Sequence, residues 1–216
     1  MADSELRVAG VDGGTPINQI GGGGSIPTAT LFRKKDWWVD NLDFRVGSSM
    51  IKEWHYSRGV SNTRVYCHGL FPRGCSWEFD AVGAAVWIPP TKTAAMYLDD
   101  NWQGVLSLSR LAIRDDIPTN AESFLIAHSM RLIDRKRWPV LVTYADSWRG
   151  HTGTIYRASG WTECGTTQPE RTYLLNGRML SRKAGPKTRT HAEMIQLGAE
   201  CVGSFSKTRF VHRICK

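Results

Sequence analysis

The sequence predicts an α/β fold in which helices cover both faces of one central sheet, because predicted strands and helices alternate along most of the chain. Two apolar runs are the clearest strand signals: residues 105–113 (VLSLSRLAI) and residues 139–145 (PVLVTYA). The second is typical of a strand buried on both faces. Between them, residues 121–137 carry apolar side chains at helical spacing and end in three basic residues, which suits a helix C-terminus.

The part of the chain before residue 105 is predicted to contain one helix among short strands. Ser49 is the predicted N-cap of this helix, which ends near Gly59. Strands are predicted at residues 43–46, at residues 63–71 and within residues 75–88, and residues 91–104 are predicted to be irregular.

Shorter elements follow residue 145. Gly160 closes a predicted helix at residues 152–159, and Asn176-Gly177 is a predicted hairpin turn. The other predicted elements are strands at 162–167 and 171–175 that pair with each other, a strand at 178–180, a helix at 190–199 and a strand at 208–214. In an open sheet of this kind, ligands bind beyond the carboxyl ends of the central strands.

Length, glycine content and charge divide the chain into three parts. Its 216 residues suffice for one well-buried domain, predicted at residues 31–180, and the glycine-rich residues 1–30 are predicted to be a flexible lead-in. The net charge is +8, and residues 181–216 carry eight basic and two acidic side chains, a difference of +6. This C-terminal extension is predicted to hold a helix and a strand, and its charge favours a polyanionic partner.

Cysteine usage and hydropathy predict a cytoplasmic protein. The five cysteines are widely spaced and form no C-x-x-C motif, so they indicate reduced thiols instead of a zinc ribbon or a thioredoxin-like site. We recognise no secretory signal and no apolar run long enough to span a membrane, and expect no membrane association.

The densest group of candidate site residues lies at residues 145–161 (ADSWRGHTGTIYRASGW). Asp146 follows the buried strand, and Tyr156 lies one turn inside the next predicted helix. Between them, Gly150-His151-Thr152-Gly153 marks the helix N-terminus, a place that suits an anion or a developing negative charge. The structural alternative is that Asp146 caps the helix and that Tyr156 packs in the core.

Two further groups are candidates. His55 could act as a base near neutral pH, and Tyr56 could stack on a nucleobase, although both also suit a helix end that packs its aromatic side chains on the sheet. Ser109-Arg110 interrupts an apolar strand, and a buried guanidinium needs an anionic partner. Asp146 on the adjacent predicted strand is the candidate partner, and that ion pair is a structural alternative to gripping a substrate.

We predict no metal site. Metal binding would fall to His68, His151 and Asp146, but the chain contains neither an H-E-x-x-H nor a C-x-x-C motif. Lone histidines are more often satisfied structural residues.

Three of these segments, HYS at residues 55–57, LSRLAI at residues 108–113 and the motif at residues 145–161, resemble the Mom family of phage DNA-modification proteins. The resemblance covers roughly residues 44–175. It implies a GNAT-like fold, with a mixed, mostly antiparallel sheet flanked by helices. It also implies conversion of adenine in duplex DNA to N6-(carbamoylmethyl)adenine in the host bacterial cytoplasm, which protects phage DNA from restriction.

By matching motifs, the resemblance implies functional roles for the residues already named. The catalytic positions fall on His55, Tyr56, Arg110, Asp146 and Tyr156. The donor is expected to bind at Ser109 and at Gly150, His151, Thr152 and Gly153.

The resemblance leaves the acyl donor open. GNAT enzymes usually grip the pyrophosphate of coenzyme A with backbone amides of a glycine-rich loop, whereas residues 114–123 here hold no glycine and three acids. Acids repel pyrophosphate, and Pro118 lacks an amide donor. The donor is therefore either acetyl-CoA or a glycyl donor such as glycyl-tRNA, whose glycyl group has the atoms of the product group CH2–CO–NH2.

Duplex DNA is the implied partner, tRNA a second one if it is the donor, and a homodimer is one alternative for the open oligomeric state. The C-terminal extension is the candidate DNA clamp, with a solvated helix and edge strand as its structural alternative. The candidate contacts are Lys183, Lys187, Arg189, Lys207, Arg209 and Arg213. Two other functions stay open: an N-acyltransferase that acts on another amine, and a DNA-binding protein without catalysis.

Overall fold

The computed structural model describes residues 31–75, 78–183 and 187–213, and the predicted lead-in at residues 1–30 lies outside these residues. The strands are β1 (Trp37–Asn41), β2 (Tyr66–Pro72), β3 (Gly83–Ile88), β4 (Val105–Ile113), β5 (Val140–Asp146), β6 (Thr162–Thr166), β7 (Glu170–Leu175), β8 (Arg178–Met179), β9 (Glu200–Phe205) and β10 (Lys207–Arg213). The helices are α1 (Phe44–Trp54), α2 (Lys92–Met96), α3 (Ala121–Leu132), α4 (Thr154–Ala158) and α5 (His191–Gln196).

Seven strands form the main sheet in the order β1-β2-β3-β4-β5-β10-β6, and three form a small sheet in the order β8-β7-β9. Every neighbouring pair is antiparallel except β4 and β5, which run parallel. The predicted fold class, a mixed and mostly antiparallel sheet flanked by helices, is confirmed.

Successive side chains of a strand point to opposite faces of the sheet, and each face of the main sheet is covered by a helix. Leu70 and Trp87 pack on one face with apolar residues of α3. Their neighbours Phe71 and Val86 pack on the other face with residues of α1. The two helices therefore bury the two faces of the central strands.

Helix α1 begins earlier than predicted, and its first turn occupies residues that were predicted to be a strand. The Asp43 carboxylate accepts a hydrogen bond from the backbone N–H of Arg45 at 2.7 Å, so Asp43 caps the helix and Ser49 lies inside it. Met50 and Ile51 are buried against the sheet. The predicted strand at 43–46 was wrong because a short apolar segment after an aspartate suits a helix start as well as a strand.

Other helix boundaries also differ from the prediction. Helix α3 stops at Leu132, before the basic residues that were predicted to end it. Residues 91–104, predicted to be irregular, contain α2, which Thr91 caps through the N–H of Ala94. Among the described residues, no helix has the length and apolarity that crossing a membrane requires.

The last third of the chain pairs differently from the prediction. Strands β6 and β7 do not pair with each other: β6 joins β10 in the main sheet, and β7 joins β8 and β9 in the small one. The hairpin turn at Asn176-Gly177 is confirmed, with φ of +50° and +72° at these two residues. The predicted domain boundary at residue 180 placed residues 207–213 in a C-terminal extension. In the structure these residues form β10, which lies between β5 and β6 in the main sheet, so they are part of the main fold.

A buried polar cluster lies inside the α3 face of the sheet. The indole N–H of Trp87 donates to the Ser129 hydroxyl at 2.7 Å, and the same hydroxyl is hydrogen-bonded to Nδ1 of His68 at 2.6 Å. Nε2 of His68 is buried without a hydrogen-bond partner among the described residues. Burial lowers the pKa of His68 from 6.5 to about 4.

We predict that His68 makes the fold sensitive to acid. Because the folded pKa is lowered, its contribution is complete above pH 6.5 and is lost as the pH falls to about 4. The free energy of unfolding of the wild type, measured with denaturant, should fall by up to about 3 kcal/mol over this pH range because of His68. In the variant His68→Leu this free energy should fall less. In His55→Gln the decrease caused by His68 should remain. An unchanged pH dependence in His68→Leu would contradict this interpretation.

Candidate active site

A cleft opens where β4 and β5 separate. Their parallel pairing covers only the first three residues of each strand and ends at Ser107 and Val142, although β4 continues to Ile113 and β5 to Asp146. Just beyond the last pair, the Thr143 hydroxyl donates to the carbonyl of Leu108 at 3.2 Å. The cleft has a volume of about 590 Å³. The predicted site residues that line it are His55, Tyr56, Ser109, Arg110, Gly150, His151, Thr152, Gly153 and Tyr156.

A bulge in β4 holds the cleft open. Leu108 pairs with Trp87 of β3 and Arg110 pairs with Val86, so Ser109 is an extra residue on β4. A bulge bends its strand and increases the local twist, which here carries the end of β4 away from β5. Strand β5 stays paired with β10 along its full length, from Val140 to Asp146.

Asp146, the last residue of β5, is buried beside the cleft with 6% of its surface exposed. Its Oδ2 accepts from the Tyr56 hydroxyl at 3.4 Å, a long hydrogen bond, and lies 3.5 Å from Nζ of Lys207. Its Oδ1 accepts from the backbone N–H of Trp148 at 3.2 Å. The carboxylate is therefore held by three groups from three separate segments.

Arg110 has no carboxylate partner among the described residues. Its Nε donates to the carbonyl of Gly59 at 2.7 Å, and its Nη1 donates to the carbonyl of Ser109 at 2.7 Å. The predicted ion pair with Asp146 was wrong, because Lys207 and Tyr56 occupy that carboxylate instead. Burial lowers the pKa of Arg110. A half-buried guanidinium that faces a cleft without a counter-charge is suited to bind an anion.

His55 and Tyr56 stack on each other at the end of α1, with ring centroids 4.3 Å apart. Nδ1 of His55 lies 3.1 Å from the backbone N–H of Ser57 and 2.8 Å from the Ser57 hydroxyl, so this nitrogen accepts and the ring hydrogen sits on Nε2. Burial, followed by the positive charge of Arg110, lowers the pKa of His55 to about 4. Burial, followed by the charge of Asp146, raises the pKa of Tyr56 to about 12. Both side chains are therefore neutral at neutral pH.

Tyr156 lies in the short helix α4, with its ring against Phe210 and Trp161 at centroid distances of 5.3 and 6.1 Å. Burial raises the pKa of Tyr156, and a contact with the Thr143 hydroxyl opposes this in part. The phenol is therefore protonated at neutral pH. Its ring packs in the core, as the structural alternative proposed, and its side chain also lines the cleft.

Helix α3 contributes an acidic side chain to the cleft wall, and the loop before α3 also carries acidic residues. Glu122, in the first turn of α3, lines the cleft. Asp116 accepts two hydrogen bonds from Arg114, at 2.5 and 3.1 Å. A carboxylate that faces the cleft here does not fit the pyrophosphate of coenzyme A.

Sequence reasoning gave no role in the site to Arg149, Ser57 and Thr143, and it placed a fourth contributor, Lys207, elsewhere. Arg149 lines the cleft inside the motif at residues 145–161, and its guanidinium lies over the rings of Trp148 and Tyr56 at 4.1 and 4.7 Å. Ser57 fixes the tautomer of His55. Thr143 was recognisable as the one polar residue among the apolar residues 140–143. Lys207 was assigned to the C-terminal extension, because sequence distance hid the pairing of β10 with β5.

Most of the predicted DNA-clamp side chains make contacts within the protein. Arg209 is buried, with its guanidinium 4.3 Å from the ring centre of Tyr97 and bonded to the carbonyl of Cys164. Arg213 pairs with Asp99 at 2.8 Å. The exposed lysines have acidic partners too: Lys183 with Glu170, Lys187 with Glu193 and, at the cleft, Lys207 with Asp146. Arg189 binds Arg182 through its backbone N–H and carbonyl.

Comparisons with known proteins relate the chain to one family. The family model described as Mom protein family matches residues 36–213. A curated relative, the methylcarbamoylase mom of Escherichia phage Mu, is 26% identical over 141 residues. This match covers 62% of the present chain and 56% of the relative, so the chain spans little more than half of that protein's length.

Solved structures of similar fold are acetyltransferases. Arabidopsis thaliana NAA60 in complex with acetyl-CoA has a TM-score of 0.53 at 8% identity and covers 82% of this chain and 98% of its own. A putative phosphinothricin N-acetyltransferase has a TM-score of 0.50 at 8% identity, and the match covers 83% of this chain and 99% of that protein. At such low identity the likeness concerns the fold alone, which is GNAT-like as the sequence predicted.

The turn before α4 gives a prediction about stability. Gly153 has φ of +78°, and an added Cβ would lie 2.2 Å from Cζ of Phe210. Gly150 has φ of +69° but open space around it. Gly150→Ala should lower the free energy of unfolding, measured in urea, by about 1–2 kcal/mol because of its backbone conformation alone. Gly153→Ala should cost a further ~1–3 kcal/mol, because Phe210 must move. Equal losses in the two variants would contradict the tight packing at Gly153.

Proposed function

The chain belongs to the Mom protein family, and on this basis we propose that it is a transferase-like enzyme that converts adenine in duplex DNA to N6-(carbamoylmethyl)adenine, which protects phage DNA from host restriction. One observation carries the proposal: a guanidinium without a carboxylate, Arg110, and the phenol–carboxylate pair Tyr56–Asp146 meet at one cleft. The name of the phage Mu relative, a methylcarbamoylase, supports a group-transfer reaction.

The size of the cleft supports a single nucleotide as the part of DNA that enters. At about 590 Å³ the cleft is in the range of small-molecule sites and is too small for a duplex. The adenine amine is hard to reach inside the base stack. The target base is therefore flipped out of the duplex into the cleft, as in other enzymes that act on bases.

Asp146 is the base of the proposed reaction. The adenine amine is a weak nucleophile, since its lone pair is delocalised into the ring, and it must lose a proton when it forms the new bond. His55 is poorly suited to take this proton, because its Nδ1 already accepts from Ser57 and its Nε2 carries the ring hydrogen. Asp146 takes the proton through the Tyr56 hydroxyl, which lines the cleft and donates to this carboxylate.

Tyr156 is the acid, and Arg110 holds an anion. The Tyr156 phenol remains protonated at neutral pH because burial raises its pKa, and it lines the same cleft, so it can donate a proton to a leaving group. The free N–H groups of Arg110 bind an anionic part of the donor or a phosphate of the DNA. Ser109 and the segment Gly150–Gly153 complete the donor site.

The donor itself is either acetyl-CoA or a glycyl donor such as glycyl-tRNA. The fold is that of proteins solved with acetyl-CoA, but Glu122 in the cleft and the loop before α3 do not suit the coenzyme A pyrophosphate. No step of the proposed reaction is therefore assigned to coenzyme A. With a glycyl ester as donor, N6 bonds to the carbonyl carbon, the ester C–O bond breaks, Asp146 accepts the proton that N6 loses and Tyr156 protonates the leaving oxygen. The resulting N6-glycyl group has the same atoms as the carbamoylmethyl group and must then rearrange to it. An acetyl group lacks the nitrogen atom, so acetyl-CoA alone would leave an N6-acetyl group.

We predict that expression of the chain in bacteria modifies plasmid adenine. Nucleosides from digested plasmid should include a heavier deoxyadenosine by mass spectrometry. Because a carbamoylmethyl and a methylcarbamoyl group have the same atoms, fragmentation of the nucleoside must show whether CH2 or CO is bonded to N6. Asp146→Asn should abolish the product, and Tyr156→Phe should lower the rate about 10²–10⁴-fold, the usual worth of general acid–base catalysis.

Tyr66→Phe is the matched control, because the Tyr66 hydroxyl accepts from the backbone N–H of Asp134 and does not line the cleft. Full activity of Tyr156→Phe would remove the acid role. Unmodified nucleosides from soluble protein that still binds DNA would favour the DNA-binding protein without catalysis. Modification of a different amine would favour the other acyltransferase.

A second experiment identifies the donor. Purified protein and duplex DNA are incubated with labelled acetyl-CoA or with labelled glycyl-tRNA. We expect label on the DNA from one donor only, and the position of Glu122 in the cleft wall favours the glycyl donor. Charge-neutral Glu122→Gln should raise the use of acetyl-CoA if this carboxylate is what disfavours coenzyme A. Efficient labelling from acetyl-CoA by the wild type would contradict the argument from Glu122.

A further inference from the structure

Arg149 has an exposed guanidinium at the mouth of the cleft, and it makes no hydrogen bond or ion pair with any described residue. Its contacts are with aromatic rings: its Cζ lies 4.1 Å from the ring centre of Trp148 and 4.7 Å from that of Tyr56. All of its N–H groups are therefore available, although the side chain is held in place.

The rings of Trp148 and Tyr56 both contact the same planar group, the guanidinium of Arg149. A guanidinium is flat, and at these distances it is in van der Waals contact with both rings. His55 stacks on Tyr56 at 4.3 Å, so the ring of Tyr56 is in stacking contact with two planar groups. A ring has only two faces, and a nucleobase that stacks on Tyr56 must therefore replace one of these groups. Arg149 is the one without polar anchors, whereas Ser57 holds His55.

We propose that in the free protein Arg149 occupies the position where the target base binds, between Tyr56 and Trp148. When DNA binds, the flipped base replaces Arg149 at this base-binding position, and Arg149 moves to an adjacent phosphate. This inference rests on the proposed function, since it assumes that DNA is the substrate. It adds Trp148 and Arg149 to the residues that bind the substrate.

The exchange agrees with the chemistry of each group. Every base has a π-face that stacks on aromatic side chains, and the arginine fork matches the geometry of a phosphate. An exposed cation–π contact is weak, so its loss opposes the exchange only slightly. In contrast, Arg209 and Arg213 of the predicted clamp have carbonyl or carboxylate partners within the fold.

The test compares two DNA duplexes that differ by one base. One carries a mismatched adenine, which is easily flipped, and the other has an abasic site at the same position. If the base stacks on Trp148, Trp148→Leu should weaken binding of the adenine duplex by roughly 5–100-fold and change binding of the abasic duplex little. Trp148→Phe should restore most of the affinity, which separates stacking from damage to the fold.

Arg149→Gln should lower the log–log salt slope of binding by about 0.9 on both duplexes, the value for one lost phosphate contact. Arg137→Gln is the matched control, because Arg137 lies 4.5 Å over the neighbouring Trp138 and outside the cleft lining. It should change neither affinity nor slope. Equal effects of Trp148→Leu on both duplexes, or an unchanged slope in Arg149→Gln, would overturn the proposal.

Failure of the inference is distinguishable from failure of the proposed function. If the wild type modifies plasmid adenine but Trp148→Leu binds the adenine and abasic duplexes as the wild type does, only the proposed base-binding position is wrong. If the wild type binds neither duplex and modifies no adenine, both the proposed function and the proposed base-binding position are wrong.

Discussion

The rest of the site depends on the early end of the pairing between β4 and β5. Three parallel pairs hold the strands together, and both strands then continue with only their outer neighbours, β3 and β10, to fix them. The bulge at Ser109 turns β4, and the Thr143 hydroxyl satisfies the Leu108 carbonyl where the ladder stops. Since backbone groups must otherwise be paired, a cleft between two central strands is stable only with such local compensation.

Some charged side chains around this cleft have a partner of opposite charge within the protein and others do not, and this difference indicates the charge that a ligand must carry. Asp146 is compensated inside the protein by Lys207 and by the Tyr56 hydroxyl. Arg110 and Arg149 have only carbonyls, the Ser109 hydroxyl or ring faces as partners among the described residues. Two cationic groups therefore lack a counter-charge, and Glu122 lines the same cleft without forming an ion pair to either. A polyanion that places one neutral base in the cleft matches this pattern better than a small anionic donor does.

The fold was predictable from the sequence, and most of the candidate residues lie at one cleft, because both the fold and the grouping of these residues are carried by local signals. Buried strands such as β5 are near-continuous apolar runs, and the motif at residues 145–161 lies on one strand–turn–helix unit. The pairing of β10 with β5 left no such signal, since it joins residues about sixty positions apart. For that reason the sequence assigned Lys207 to a DNA clamp and Asp146 to an ion pair with Arg110, whereas long-range pairing brings Lys207 to Asp146.

Tyr56 is the residue through which substrate entry can influence the proposed base. Its hydroxyl donates to Asp146, and its ring contacts both His55 and Arg149. The bond to Asp146 is long at 3.4 Å, so a small shift of the ring changes it appreciably. A base that replaces Arg149 on this ring also removes a positive charge from the neighbourhood of His55, whose pKa Arg149 helps to lower. The proposed stacking of the substrate and the state of the proposed proton-accepting pair are therefore coupled through one side chain, which gives the His55-Tyr56 pair a physical role in the site although His55 is not the proposed base.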